Sequence, residues 1–252
     1  MRSRAFLLQG LLVTAALVFA ASAAATPTAT LIVTPLPIPG FPGTGDILGA
    51  GTAVEVQVRI SGSEYGGYPS PLTEAIFYAP AGVKVQSAGF PTCAPAVLEA
   101  DGSGGCPKDS RVGPIGEGLG VVSFGSERVN EKVSIQGFFA PSGGLSFYVV
   151  GSTPTSFQIL EKAAWGTARA PYGPELAVEV PLVETVPGAN DASILSFRVK
   201  VGAAYRKGKK TVSYLTLPKH CPKGGYSVKM ELKFLSGETV TTAYRGPCPR
   251  HG

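Results

Sequence analysis

Ser227-Val228-Lys229-Met230-Glu231-Leu232-Lys233-Phe234 alternates without a fault. Val228, Met230, Leu232 and Phe234 fall on one side, and Lys229, Glu231 and Lys233 on the other. A period of two predicts a β-strand with one dry face and one wet face. The strand runs into Leu235-Ser236-Gly237, a three-residue loop ending in Gly, which suits a type I turn closed by a G1 bulge. That turn sets Leu232 opposite Val240, Met230 opposite Thr242 and Val228 opposite Tyr244. The apolar side stays on one face through the hairpin, so the register is self-consistent.

The same pattern recurs. Residues 53–60 place Val54, Val56, Val58 and Ile60 against Glu55, Gln57 and Arg59. Residues 193–201 place Leu195, Phe197, Val199 and Val201 against Ser196, Arg198 and Lys200. Shorter strands are expected at 28–34, 74–78, 83–87, 119–124, 132–139, 145–150, 156–160, 176–180 and 211–217. Gly, Pro and Ser clusters at 35–51, 61–71, 140–144, 172–174 and 187–190 separate them. Many short strands parted by such turns predict an all-β fold, an antiparallel β-sandwich, loop-rich, built as one large or two abutting sandwiches. The helical stretches that a βαβ unit needs are missing, and only 157–165 reads as able to carry a helical turn. No segment repeats at a fixed period.

Composition agrees. Of 252 residues, 44% are hydrophobic and 15% charged, which excludes a disordered chain. The 33 Gly and 22 Pro show no G-X-Y period, which excludes collagen.

Residues 1–25 read as a secretory signal peptide. Arg2 and Arg4 lead an apolar run from Ala5 to Ala20, and small residues follow from Ala21. The run is short for a membrane-spanning helix, and no transmembrane helix is expected after cleavage. Residues 26–252 then form the β-sandwich region, with a candidate sub-boundary at 187–191. The segment removed carries two Arg and no acid, so the net charge drops from +5 to +3. That is too little for a nucleic-acid partner, which needs a dense basic face.

All four cysteines, Cys93, Cys106, Cys221 and Cys248, lie in the exported part. In an oxidising compartment they read as two structural disulfides. Four cysteines allow three connectivities, and local pairing is favoured. Cys93 and Cys106 bracket a Gly- and Pro-containing loop, and the bases of the 227–244 hairpin converge near Cys221 and Cys248. Zinc is disfavoured, because its sites bring cysteines in close C-x₂₋₄-C pairs.

Catalytic signatures are thin. His220 precedes Cys221 in a loop, His251 is at the terminus, and no G-x-S-x-G nucleophile elbow occurs. Glu127, Glu131, Glu175, Glu179 and Glu184 are carboxylates of the kind glycoside hydrolases pair, but Glu179, between Val178 and Val180, reads as an outward strand position. The glycines around Leu119 lack the Lys-Ser/Thr of a phosphate loop. No catalytic residue, cofactor or metal site is expected. Candidate surface-binding residues are Arg206, Lys207, Lys209 and Lys210, at the tip of a hairpin, and Tyr65 and Tyr68, in the Gly-rich 61–71 loop. Basic residues suit anionic surfaces, although a charged hairpin tip also discourages edge pairing. Aromatic loops can stack on sugars.

Several short motifs occur together: Tyr78-Ala79-Pro80-Ala81-Gly82-Val83, Gly89-Phe90-Pro91-Thr92-Cys93, Gly105-Cys106-Pro107-Lys108-Asp109-Ser110-Arg111-Val112-Gly113, Cys221-Pro222-Lys223-Gly224-Gly225 and Pro247-Cys248-Pro249. With them the chain resembles a group of uncharacterised secreted β-rich proteins of high-GC actinobacteria. The resemblance implies export and a β-rich fold, and it implies no activity or site residue. The expectation is therefore a secreted, non-catalytic β-sandwich protein with an extracellular or cell-envelope binding or structural role, its partner a cell-wall or extracellular polysaccharide. The alternative is an exported hydrolase, of glycans or esters, on a β-sandwich scaffold.

Overall fold

The computed structural model describes residues 26–124, 127–152, 156–184, 188 and 191–249. Residues 1–25, read from the sequence as a signal peptide, lie outside the described residues. So does most of 187–191, the candidate sub-boundary.

In chain order the strands are β1 (Thr28–Leu36), β2 (Gly51–Ser61), β3 (Leu72–Pro80), β4 (Lys84–Val85), β5 (Gly116–Phe124), β6 (Glu127–Phe139), β7 (Leu145–Gly151), β8 (Phe157–Thr167), β9 (Tyr172–Glu179), β10 (Ser193–Val201), β11 (Ala204–Lys207), β12 (Lys210–Ser213), β13 (Leu215–Thr216), β14 (Tyr226–Phe234) and β15 (Thr239–Gly246). One short helix, α1 (Pro95–Asp101), and two 3₁₀ turns follow β4.

The fold is all-β and antiparallel, and both disulfides form, Cys93 with Cys106 and Cys221 with Cys248. The β14–β15 hairpin pairs Leu232 with Val240, Met230 with Thr242 and Val228 with Tyr244, in the register expected from alternation. Gly237 closes its turn at φ +86°, a left-handed conformation that glycine adopts without steric cost. Its N–H donates to the Phe234 carbonyl at 2.9 Å.

The division into two packed sheets that a sandwich implies is not seen among the described residues. A single 13-stranded sheet runs β15-β14-β3-β9-β8-β7-β6-β5-β10-β2, with β1 on the far side of β2 and the short β13 and β4 continuing from the start of β2. Strands from both sides of residues 187–191 interleave in it: β10 lies between β5 and β2, and β14 pairs β3. The sheet curls until its two edge strands, β1 and β15, lie side by side, but no ladder among the described residues joins them. Right-handed strand twist favours such curling when many strands are coupled. The pair β11–β12 forms a separate hairpin.

Three local expectations need correction. Residues 172–174 do not separate strands; they open β9, where Tyr172 pairs with Pro80 and Pro174 with Thr167. Residues 157–165 carry no helical turn; they belong to the 11-residue strand β8. Glu161 occupies an inward position there, between Ile159 and Ala163, and that charge breaks the apolar alternation that marks a strand. Residues 94–105 are not simply a loop. Pro95 opens α1, whose buried Leu98 packs with Phe138, Tyr148 and Cys93 on the outer face of the sheet. Proline suits the first helical turn because its missing N–H would have no partner there.

The inward side chains form two apolar clusters. One, around Phe139, Leu145, Phe147 and Tyr214, lies towards the end where β10 finishes. The other, around Val58, Ile60, Leu72, Leu232 and Phe234, lies towards the opposite end. Val54, Val178, Phe197 and Val199 touch both. No helix among the described residues is long and apolar enough to cross a membrane.

Candidate functional site: an apolar cavity inside the curled sheet

Between the two clusters the side chains leave a cavity of about 390 Å³. Protein interiors otherwise pack as densely as organic crystals, and this volume falls within the range of small-molecule sites, roughly 300–1,000 Å³. Every strand that rings the space contributes. Val133 and Ile135 come from β6, Phe147 and Val149 from β7, Leu176 and Val178 from β9, and Phe197 and Val199 from β10. Val54 and Val56 of β2, Phe77 of β3 and Met230 of β14 complete the wall. The period-two alternation builds this lining directly, because one face of every strand is aliphatic or aromatic.

Among the lining residues of the Asp, Glu, Lys, Arg and His types, all are acidic. Glu131 and Glu161 line the cavity, with Asp46 at its rim, and no Lys, Arg or His does. Asp46 is exposed and close to Tyr226, whose hydroxyl pKa is raised by burial and secondarily by the Asp46 charge. Glu131 is fully buried at the opposite end, and its Oε1 accepts the Ser152 N–H at 2.9 Å.

Glu161 sits between these ends. In register it faces Phe147 on β7, and it lies one residue before the Lys162–Glu179 pair with β9. By accessible surface it is only half-buried, yet protein encloses it on all sides. The surface it keeps faces the cavity. Burial pushes its carboxyl up to about 7, with neither a hydrogen bond nor a neighbouring charge contributing. A desolvated carboxylate with no compensating partner holds its proton for this reason.

One end of the cavity is walled by aromatic rings. Trp165 lines the space and donates from Nε1 to the Tyr214 hydroxyl at 2.6 Å. Tyr214 is fully buried and stacks edge-on against Phe139 at 4.8 Å between ring centres. Trp165 is the only tryptophan in the chain, so it is a built-in fluorescent reporter at the cavity wall.

The surface residues singled out from the sequence lie elsewhere and apart. Arg206, Lys207 and Lys210 sit on the β11–β12 hairpin and Lys209 in its turn, and all four are exposed. Arg206 lies over the Phe41 ring at 5.9 Å. Tyr65 and Tyr68 are at the other end of β2, in the loop that leads to β3. Their rings are turned to the Arg128 guanidinium, at 5.5 and 5.3 Å. Arg128 also donates from Nη2 to Ser193 Oγ at 3.0 Å. The two groups therefore do not form one surface, and the tyrosine rings are engaged within the protein. His220 is exposed, and its carbonyl accepts the Tyr226 hydroxyl. Glu179 is exposed, as its alternation with valines implied. No group of three or more His, Cys, Asp or Glu side chains that could hold a metal ion occurs among the described residues.

No protein family, curated protein or solved structure matches the chain.

Proposed function

We propose that the protein is an exported, non-catalytic binding protein that carries one small apolar molecule in the cavity of its curled sheet. The observation that carries this reading is the 390 Å³ apolar cavity, ringed by inward faces of strands that span most of the chain. The interior of a curled sheet can hold one small ligand, and a concave apolar site lets such a ligand bury most of its surface. The two disulfides suit an oxidising compartment. The N-terminal signal of the sequence supports export, and the resemblance to secreted proteins of high-GC actinobacteria agrees with it. A polysaccharide partner has less support, because the tyrosines that would stack on sugar rings are turned to Arg128.

The test is a titration with the neutral, non-basic fluorophore N-phenyl-1-naphthylamine, following energy transfer from Trp165. Saturable one-to-one binding is expected. A Val178→Trp variant, which projects a larger ring into the cavity from β9, is expected to fold and to weaken binding at least tenfold. Absence of saturable binding by the wild-type protein, or undiminished binding by the filled variant, overturns the proposal.

A further inference from the structure

The cavity's polar features say what kind of apolar molecule it takes. An anionic ligand such as a fatty acid needs a cation or several donors at its head group. Here the lining offers carboxyls and no Lys, Arg or His: Glu161 at mid-cavity, Glu131 at one end and Asp46 at the other rim. The protein as a whole is basic, so the acidity of the interior runs against the rest of the molecule.

Glu161 is the group with unspent capacity. Glu131 has a backbone N–H on Oε1, and Asp46 is exposed to solvent. Glu161 has no partner among the described residues, and its accessible surface opens onto the cavity. The elements packed beside it offer no compensation: β7 presents Phe147 and Val149, and β9 presents Leu176 and Val178. The other titratable groups on the lining are Glu131 of β6, Asp46, Tyr226 of β14 and Tyr244 of β15, none of them cationic. A buried carboxylate in an apolar wall is costly unless an opposite charge meets it. Aromatic rings complete the fit, since Phe77, Phe147, Phe157, Phe197 and Trp165 can turn their faces to a cation.

We infer, resting on the reading of the cavity as a small-molecule site, that its ligand is a hydrophobic amine, whose ammonium group pairs with Glu161 while its hydrocarbon part fills the apolar lumen. The ion pair forms only when Glu161 is ionised and the amine protonated. Affinity therefore rises with pH through the neutral range and levels off until the amine itself loses its proton.

Displacement of N-phenyl-1-naphthylamine by octylamine, 1-octanol and octanoate, at pH 6 and pH 8 in amine-free buffer, tests this. Octylamine is expected to displace the probe at least tenfold better than octanol at pH 8, with octanoate the weakest. Its advantage is expected to shrink about tenfold at pH 6, where a carboxyl titrating near 7 is roughly one-tenth ionised. In Glu161→Gln the advantage of octylamine over octanol should vanish. If the probe binds but octanol or octanoate equals octylamine, or if Glu161→Gln keeps the preference, the amine assignment is overturned and the cavity reading stands. The wild-type pH comparison decides even if the variant does not fold. If the probe does not bind at all, the cavity reading fails, and this inference fails with it.

Discussion

Replacing Glu161 with Gln should stabilise the protein, and by an amount that grows with pH. In the fold Glu161 keeps its proton up to about pH 7, against an ordinary value of 4.5. Between those values the folded state binds more protons than the unfolded state. Stability is therefore lost as pH rises through that window and is level above it. The shift corresponds to about 3 kcal/mol, at 1.36 kcal/mol per pK unit. Gln has nearly the same shape and does not titrate. The stability gap between Glu161→Gln and wild type should thus be small at pH 4.5 and widen by about 3 kcal/mol by pH 8. For a chain of this size that is a difference of roughly 6–12 °C in melting temperature. Glu55 and Glu231, whose pKa values are lowered, titrate in both proteins and cancel in the difference. The assay is thermal unfolding followed by circular dichroism across pH 4.5–8 in phosphate and acetate, which bring no amine into the cavity. A gap that stays constant with pH, or one that narrows as pH rises, refutes the placement of Glu161 in a desolvated interior.

Three further outcomes are expected. Reduction of both disulfides should lower the melting temperature, each bond contributing about 3 kcal/mol, and peptide mapping should recover only the Cys93–Cys106 and Cys221–Cys248 pairs; an unchanged melting temperature under reductant contradicts their structural role. Gly237→Val should cost about 1–2 kcal/mol in chemical denaturation, because a β-branched residue is strained at φ +86°; no loss of stability would mean that the hairpin turn is built otherwise. Arg128→Ala should loosen the loop that holds Tyr65 and Tyr68, costing about 1 kcal/mol and speeding hydrogen exchange there; protection unchanged from wild type would show that the guanidinium does not anchor it.

The sequence reveals strands far better than it reveals how the sheet is bent. Residues 227–244 alternate so regularly that each cross-strand pair follows from the turn. Residues 53–60 and 193–201 give their strands for the same reason, yet nothing in either predicts that they pair with one another. That pairing joins elements more than a hundred residues apart, and with it the sheet curls instead of splitting into two layers. The cavity was not legible at all. Val133, Val149 and Val178 look the same in sequence whether they interlock across a core or line a space. Its signals were Glu131 and Glu161, acidic residues at inward strand positions. The Glu161 charge broke the alternation of β8, so the strand expected at 156–160 stopped short of that residue and the segment read as able to turn helically. The tyrosine and lysine candidates stood out because they are aromatic or charged within loops. Such residues are conspicuous wherever they occur, and here the tyrosines serve to hold Arg128.

The most direct measurement is X-ray diffraction at the bromine edge from crystals exposed to bromobenzene. A bromine peak inside the curled sheet, among Phe147, Ile159 and Glu161, is the expected result. Walls in mutual contact with no interior peak, or bromine found only on the outer surface, would contradict a ligand-binding interior.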